Sequence, residues 1–227
     1  VTFSAGQLPE GTGTATATVT ATDPAGNVAT LSEGFTFDTV APEAPALTDI
    51  LRNAGAVSGV MAQVDDGTVT FHQIAANGTE TDIAITSTAP VAGGELFLFG
   101  SGVADGSYLV IDSTDAAGNA AATLAIVNNT TTVEVDLNRA GLADFDFASV
   151  DLTFAPQANL TITAAQLNAL TGVDKELMVK GDADDRVRLD DATATGTTRV
   201  VDGHTYEVYH LGTGTVLVDE DIQTQIV

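Results

Sequence analysis

The residues of this chain whose types and spacing could do chemistry are carboxylates at turns. Two turns share one wording: Thr22-Asp23-Pro24-Ala25-Gly26-Asn27 and Thr114-Asp115-Ala116-Ala117-Gly118-Asn119. Asp65-Asp66-Gly67 is a third, and Asp38 closes the run Phe35-Thr36-Phe37-Asp38. Asp and Asn offer hard oxygen atoms, and Ca2+ collects roughly six to eight of these at ~2.3–2.6 Å. The same residues also make Asx-turns and tolerate left-handed backbone with no ion at all. Both readings stand for Asp38, Asp65, Asp66, Asp115 and Asn119, and for the repeated pair Asp23 and Asn27. Gly181-Asp182-Ala183-Asp184-Asp185 and Asp219-Glu220-Asp221 are further acid clusters and read as solvated turns.

Other chemistries find little support, and the chain reads as non-catalytic. There is no cysteine, which removes disulfides, Cys-based zinc sites and thiol catalysis. His72, His204 and His210 are the only histidines. His204 and His210 share a strand face but lie ~20 Å apart at that spacing, too far for one metal. Phe99-Gly100-Ser101-Gly102 lacks the spacing of a nucleophile elbow, and no phosphate- or dinucleotide-binding fingerprint occurs. Carboxylate pairs abound, but the Trp platforms that sugar-cleaving sites use are missing.

The charge balance agrees. With 31 acidic and 7 basic residues the net charge is −24, which opposes nucleic acid and anionic membranes. No apolar run approaches the ~20 residues of a membrane span. Val1-Thr2-Phe3-Ser4-Ala5-Gly6 lacks the basic and apolar regions of a signal peptide. Charged residues are only 17% and apolar ones 44%, so the acid is mounted on folded modules. Crowded carboxylates repel, and a divalent cation relieves that repulsion.

The elements that must position these residues are strands. From Thr14 to Thr22, Thr fills every even position and Ala or Val every odd one, the period of a half-buried strand. The Asp23–Asn27 turn and a second run through Phe37 complete a hairpin. The unit recurs at Tyr108–Val127, and the two turn motifs start 92 residues apart, close to the length of an immunoglobulin-like sandwich. Strands are expected near Ala56–Gln63, Thr68–Gln73, Thr79–Ile85 and Glu95–Gly100. Residues 1–39 then supply the C-terminal part of one such module and 40–130 a whole one, so the chain is expected to be a fragment of something longer. Ala41-Pro42-Glu43-Ala44-Pro45 is a stiff linker. Residues 131–227 carry six of the seven basic side chains and form a β-rich module with one short helix near 163–171. Thr163 is its N-cap, Gln166 completes a capping box, and Gly172 follows its end. The fold class is all-β.

The turn motif followed by Phe37-Asp38-Thr39-Val40-Ala41-Pro42 resembles the bacterial immunoglobulin-like repeats of large biofilm adhesins exported by type I secretion. The resemblance covers residues 1–127. The last module is similar to a segment found near the C-terminus of such adhesins, through Leu160-Thr161-Ile162-Thr163, Val179-Lys180-Gly181-Asp182-Ala183-Asp184-Asp185 and Val201-Asp202-Gly203-His204-Thr205-Tyr206-Glu207-Val208-Tyr209. The Gly-Gly-X-Gly-X-Asp repeat is absent. The resemblance implies an extracellular, cell-surface location and calcium-stiffened junctions between neighbouring modules.

Topology supports such a junction. In an immunoglobulin-type sandwich the turn before the last strand faces the preceding module, as does the loop between the second and third strands. Asp115 and Asn119 occupy the first, Asp65 and Asp66 the second, and Asp38 enters the linker there. These five are therefore expected to converge on Ca2+. Asp23 and Asn27 repeat the pattern without an upstream partner, so that site is expected to be incomplete. At the next junction Asn128-Asn129-Thr130 replaces the linker wording, with Asp136 nearby. The alternative function is that residues 131–227 bind a glycan or a protein through Tyr206, Tyr209, His210 and the basic cluster. The plainer account puts Tyr206 and Phe154 in a core and Arg186 and Arg188 on a solvated face.

Overall fold

The computed structural model describes residues 8, 11–64, 67–129, 132–172 and 175–227. The fold is all-β with one short α-helix among the described residues. Strands β1 (Thr12–Thr22) and β2 (Val28–Asp38) pair antiparallel over their whole length. The alternation of Thr with Ala makes this two-faced ribbon: Ala15 and Ala17 are half-buried and the intervening threonines exposed. Gly13 lies opposite Phe37, where a Cβ would meet the ring at 3.1 Å. Val19, Val28 and Leu31 remain exposed.

The sandwich follows. Its strands are β3 (Ala46–Asn53), β4 (Ala56–Gln63), β5 (Thr68–Ile74), β6 (Glu80–Asp82), β7 (Ile85–Val91), β8 (Gly94–Val103), β9 (Tyr108–Thr114) and β10 (Ala120–Ile126). One sheet has the order β3-β4-β8-β7, and the other contains β10-β9-β5-β6. Leu47, Val60, Phe71, Phe97, Leu109 and Ile111 fill the space between them. The Phe71 ring lies 5.0 Å from Phe97 and 5.1 Å from Phe99.

The last part winds differently. Strands β11 (Val133–Val135), β12 (Phe147–Asp151), β13 (Ala158–Ile162), β14 (Glu176–Lys180) and β15 (Arg186–Leu189) alternate between two sheets. After the hairpin β16 (Thr193–Val201) and β17 (His204–Leu211), strands β18 (Gly214–Asp219) and β19 (Gln223–Ile226) resume that alternation. Strands β11-β13-β15-β19 are all parallel, and so are β12-β14-β18. This is a short parallel β-solenoid, a winding the sequence reading did not specify. Helix α1 (Ala164–Leu170) sits between β13 and β14 with the expected capping box: the Gln166 N–H donates to Thr163 Oγ1 at 3.3 Å, and the Thr163 N–H donates to Gln166 Oε1 at 2.9 Å.

Sandwich and solenoid are fused. Strand β10 pairs in parallel with β12, giving one nine-stranded sheet of order β16-β17-β18-β14-β12-β10-β9-β5-β6. One core holds Ile74, Tyr108, Leu124 and Ile126 of the sandwich together with Leu152, Leu160, Leu177 and Val218 of the solenoid. Arg139 lies 3.5 Å above the Tyr108 ring and donates to Ile74 O and Gly106 O. The Asp136 N–H donates to the Tyr108 hydroxyl at 2.7 Å. Sheet and core thus run across the chain near residue 130, where the sequence changes character.

Candidate functional site at the hairpin junction

The two repeated turns are superimposable in their bonding. Asp115 Oδ1 accepts the N–H groups of Ala117 at 2.8 Å and Asn119 at 2.9 Å, and Oδ2 accepts Asn119 Nδ2 at 2.8 Å. Asp23 Oδ1 accepts Ala25 N–H at 2.9 Å and Asn27 N–H at 2.8 Å, and Oδ2 accepts Asn27 Nδ2 at 2.7 Å. Gly26 and Gly118 take φ of +86° and +91°, which explains the Gly at that place. Hydrogen bonds from the Asn side chain, then from backbone N–H groups, hold both carboxyls below the ordinary Asp range. Both aspartates therefore stay ionised.

Their surroundings differ. The 115–119 turn meets the end of β2: Asn119 Nδ2 lies 3.5 Å from the carbonyl oxygen of Asp38. Asp38 and Asp115 line one open cleft of about 600 Å³ with Thr12, Val40, Ala41, Pro42 and Val64. Asp65 and Asp66 lie outside the described residues. Their neighbour Val64 lines this cleft, and Gly67 packs on Ser113 and Thr114 at the foot of the same turn. Asp38 Oδ1 accepts the Val40 N–H at 3.0 Å. Asp38, Asp115 and Asn119 are thus brought together as expected. Asp23 and Asn27 sit at the far tip of the hairpin, among exposed residues.

The carboxylates of Asp38 and Asp115 and the Asp38 main-chain carbonyl are hard oxygen donors of the kind Ca2+ takes, beside a cleft with room for water, whereas Asn119 turns its Nδ2 toward them. The Asx bonding does not use every oxygen lone pair of Asp38 and Asp115. The linker is anchored on its far side, where Thr123 Oγ1 donates to Pro45 O at 2.7 Å. Comparison with protein-family models, curated proteins and solved structures finds no match.

The acid clusters of the solenoid are only partly solvated. Asp182, Asp184, Glu220 and Asp221 are exposed, but Asp185 and Asp219 are buried. Asp185 staples two corners: Oδ1 accepts the Ala158 N–H at 2.7 Å and Oδ2 the Asp182 N–H at 3.0 Å. Burial pushes its carboxyl up to about 6. Tyr206 and Tyr209 are buried, so neither offers a platform for a ligand. Arg186 and Arg188 face outward over a shallow cleft of about 380 Å³ with Asn159, Thr161, Gln223 and Gln225.

A cluster that the sequence reading missed lies on the sandwich. His72, Glu80 and Asp82 bring one ligand atom each within 4.8 Å of one another. His72 pairs with Asp82 across β5 and β6. The signal was present: a hairpin closing on Asn77-Gly78 sets Ile74 against Glu80, and hence His72 against Asp82.

Proposed function

We propose that this chain is a non-catalytic spacer of an extracellular bacterial adhesin, in which Ca2+ stiffens the junction between one immunoglobulin-like module and the next. The observation that carries the reading is the shared cleft of Asp38 and Asp115, with Asn119 touching the Asp38 carbonyl. A cation there would tie the end of β2 to the β9–β10 turn. It would also relieve the repulsion between two carboxylates that nothing cationic neutralises among the residues lining that cleft. Asp65 and Asp66, next to Val64, belong to the same proposed ligand set. The Asp23–Asn27 turn has the same bonding and is the counterpart for a preceding module.

Calcium binding only the folded state must raise the melting temperature with concentration. Thermal unfolding in EDTA and in millimolar calcium tests this directly: a rise that Asp115→Asn abolishes supports the site, and identical curves refute it. A second reading rests on the outward polar face of β13, β15 and β19, where Arg186 and Arg188 line a cleft suited to a glycan or a protein. A glycan array probed with the whole chain, against Arg186→Ala/Arg188→Ala, checks it.

A further inference from the structure

The structure assigns a second metal site, distinct from the calcium junction, to His72, Glu80 and Asp82: a site for a divalent first-row transition ion such as Zn2+ or Co2+. His72 Nδ1 lies 3.0 Å from Glu80 Oε1 and 2.9 Å from Asp82 Oδ1. Yet neither approach is aligned as a hydrogen bond, and Nδ1 is buried without a hydrogen-bond partner. An N–H shared between these two oxygens would be poorly aligned with both, but a metal can bond to both. Two bonds of about 2.1 Å meeting at a right angle place their donor atoms about 3.0 Å apart, whereas tetrahedral angles place them about 3.4 Å apart. The two observed spacings are those of donor atoms about 90° apart on one ion. They also explain the missing hydrogen bonds, because each oxygen then lies about 45° off the imidazole axis.

The other ring nitrogen, Nε2, lies 3.1 Å from Thr70 Oγ1. With Nε2 protonated and donating there, Nδ1 is the free base a metal requires, the usual outer-shell arrangement of a ligating histidine. Phe145 packs on the imidazole at 4.9 Å and fixes its plane. A cavity of about 240 Å³ lined by Thr70, His72, Asp82, Ile83 and Ile85 borders the site. The imidazole sets the metal class, since Ca2+ takes oxygen ligands whereas Zn2+ and Co2+ accept nitrogen.

The test is calorimetric titration of the whole chain with Zn2+, and separately with Co2+, in millimolar calcium so that oxygen-only sites are already occupied. One equivalent is expected to bind. His72→Gln and Asp82→Asn should each weaken it by at least about tenfold, while Asp115→Asn leaves it unchanged. The Asp82 side chain is 87% exposed, so that variant keeps the fold, which circular dichroism without metal verifies. The absence of saturable binding, or affinity unchanged in either His72→Gln or Asp82→Asn, overturns the assignment.

Discussion

Between β2 and the sandwich, the chain crosses on a short proline-bearing linker, with an open cleft and a long contact from Asn119 to the Asp38 carbonyl. Between the sandwich and the solenoid, β10 lies directly against β12 and a single core passes underneath. The repeated hairpin shows the same contrast. Strands β9 and β10 are almost wholly buried, whereas β1 and β2, carrying the same turn, expose Val19, Val28 and Leu31. Identical local chemistry therefore produces a buried element in one place and an exposed one in the other. The difference lies in the apolar area each hairpin covers. The carboxylates divide the same way. Asp115 at the open junction is held low by hydrogen bonds, and Asp185 in the fused half is pushed up by burial.

The largest way to break this contrast is to cut the shared core. Leu124, fully buried on β10, contacts both halves through that core. Leu124→Ala should cost about 2–5 kcal/mol, and urea denaturation should show sandwich and solenoid unfolding in one transition. Two separate transitions in the unmodified chain would remove the claim of fusion.

Next in size is the corner staple. Asp185→Ala leaves the buried Ala158 N–H without its acceptor, at about 1–3 kcal/mol, while the Asp182 N–H can turn to water. The pH dependence sharpens this. The folded carboxyl titrates near 6 against an ordinary 3.8, so the folded state holds the proton more tightly. Its contribution to stability is full below about pH 4 and is lost as pH rises through about 6. The stability difference between the unmodified chain and Asp185→Asn should therefore shift between pH 4 and 7 in favour of the unmodified chain at the acidic end. A flat difference across that range would contradict the burial argument.

Smaller effects fall at the open junction. Asp115→Asn should abolish the calcium-dependent rise in melting temperature, starting from an EDTA curve already lowered by loss of the Asn119 side-chain hydrogen bond. Asp23→Asn, at the hairpin tip, should leave the calcium response untouched. A response equally sensitive to both would show that the turns bind calcium independently of the junction.

How much of this was legible in the sequence depended on how local the code was. Helix α1 was readable to its ends because Thr163, Gln166 and Gly172 act within a few residues of one another. The hairpins were readable because Thr/Ala alternation and Asp-X-Ala-Gly-Asn are also local. The solenoid was not, because β11, β12 and β13 are three to five residues long, and their parallel partners lie some 25–30 residues away with irregular turns between. Nothing short-range marks that stacking. Asp185 looked solvated because its sequence neighbours are charged, but its partner Ala158 comes from the preceding coil. The convergence of Asp38 with Asp115 was legible only through the topology of a sandwich.

Calcium binding at the hairpin junction should fix the hairpin against the sandwich. Because the chain has no cysteine, spin labels on Ser32→Cys and Asn53→Cys, both exposed, report the hairpin-to-sandwich distance without interference. Pulsed electron–electron resonance should give a broad distance distribution in EDTA that narrows to a single peak in millimolar calcium, and stays broad when Asp115→Asn is added. Distributions of equal width with and without calcium would contradict the account.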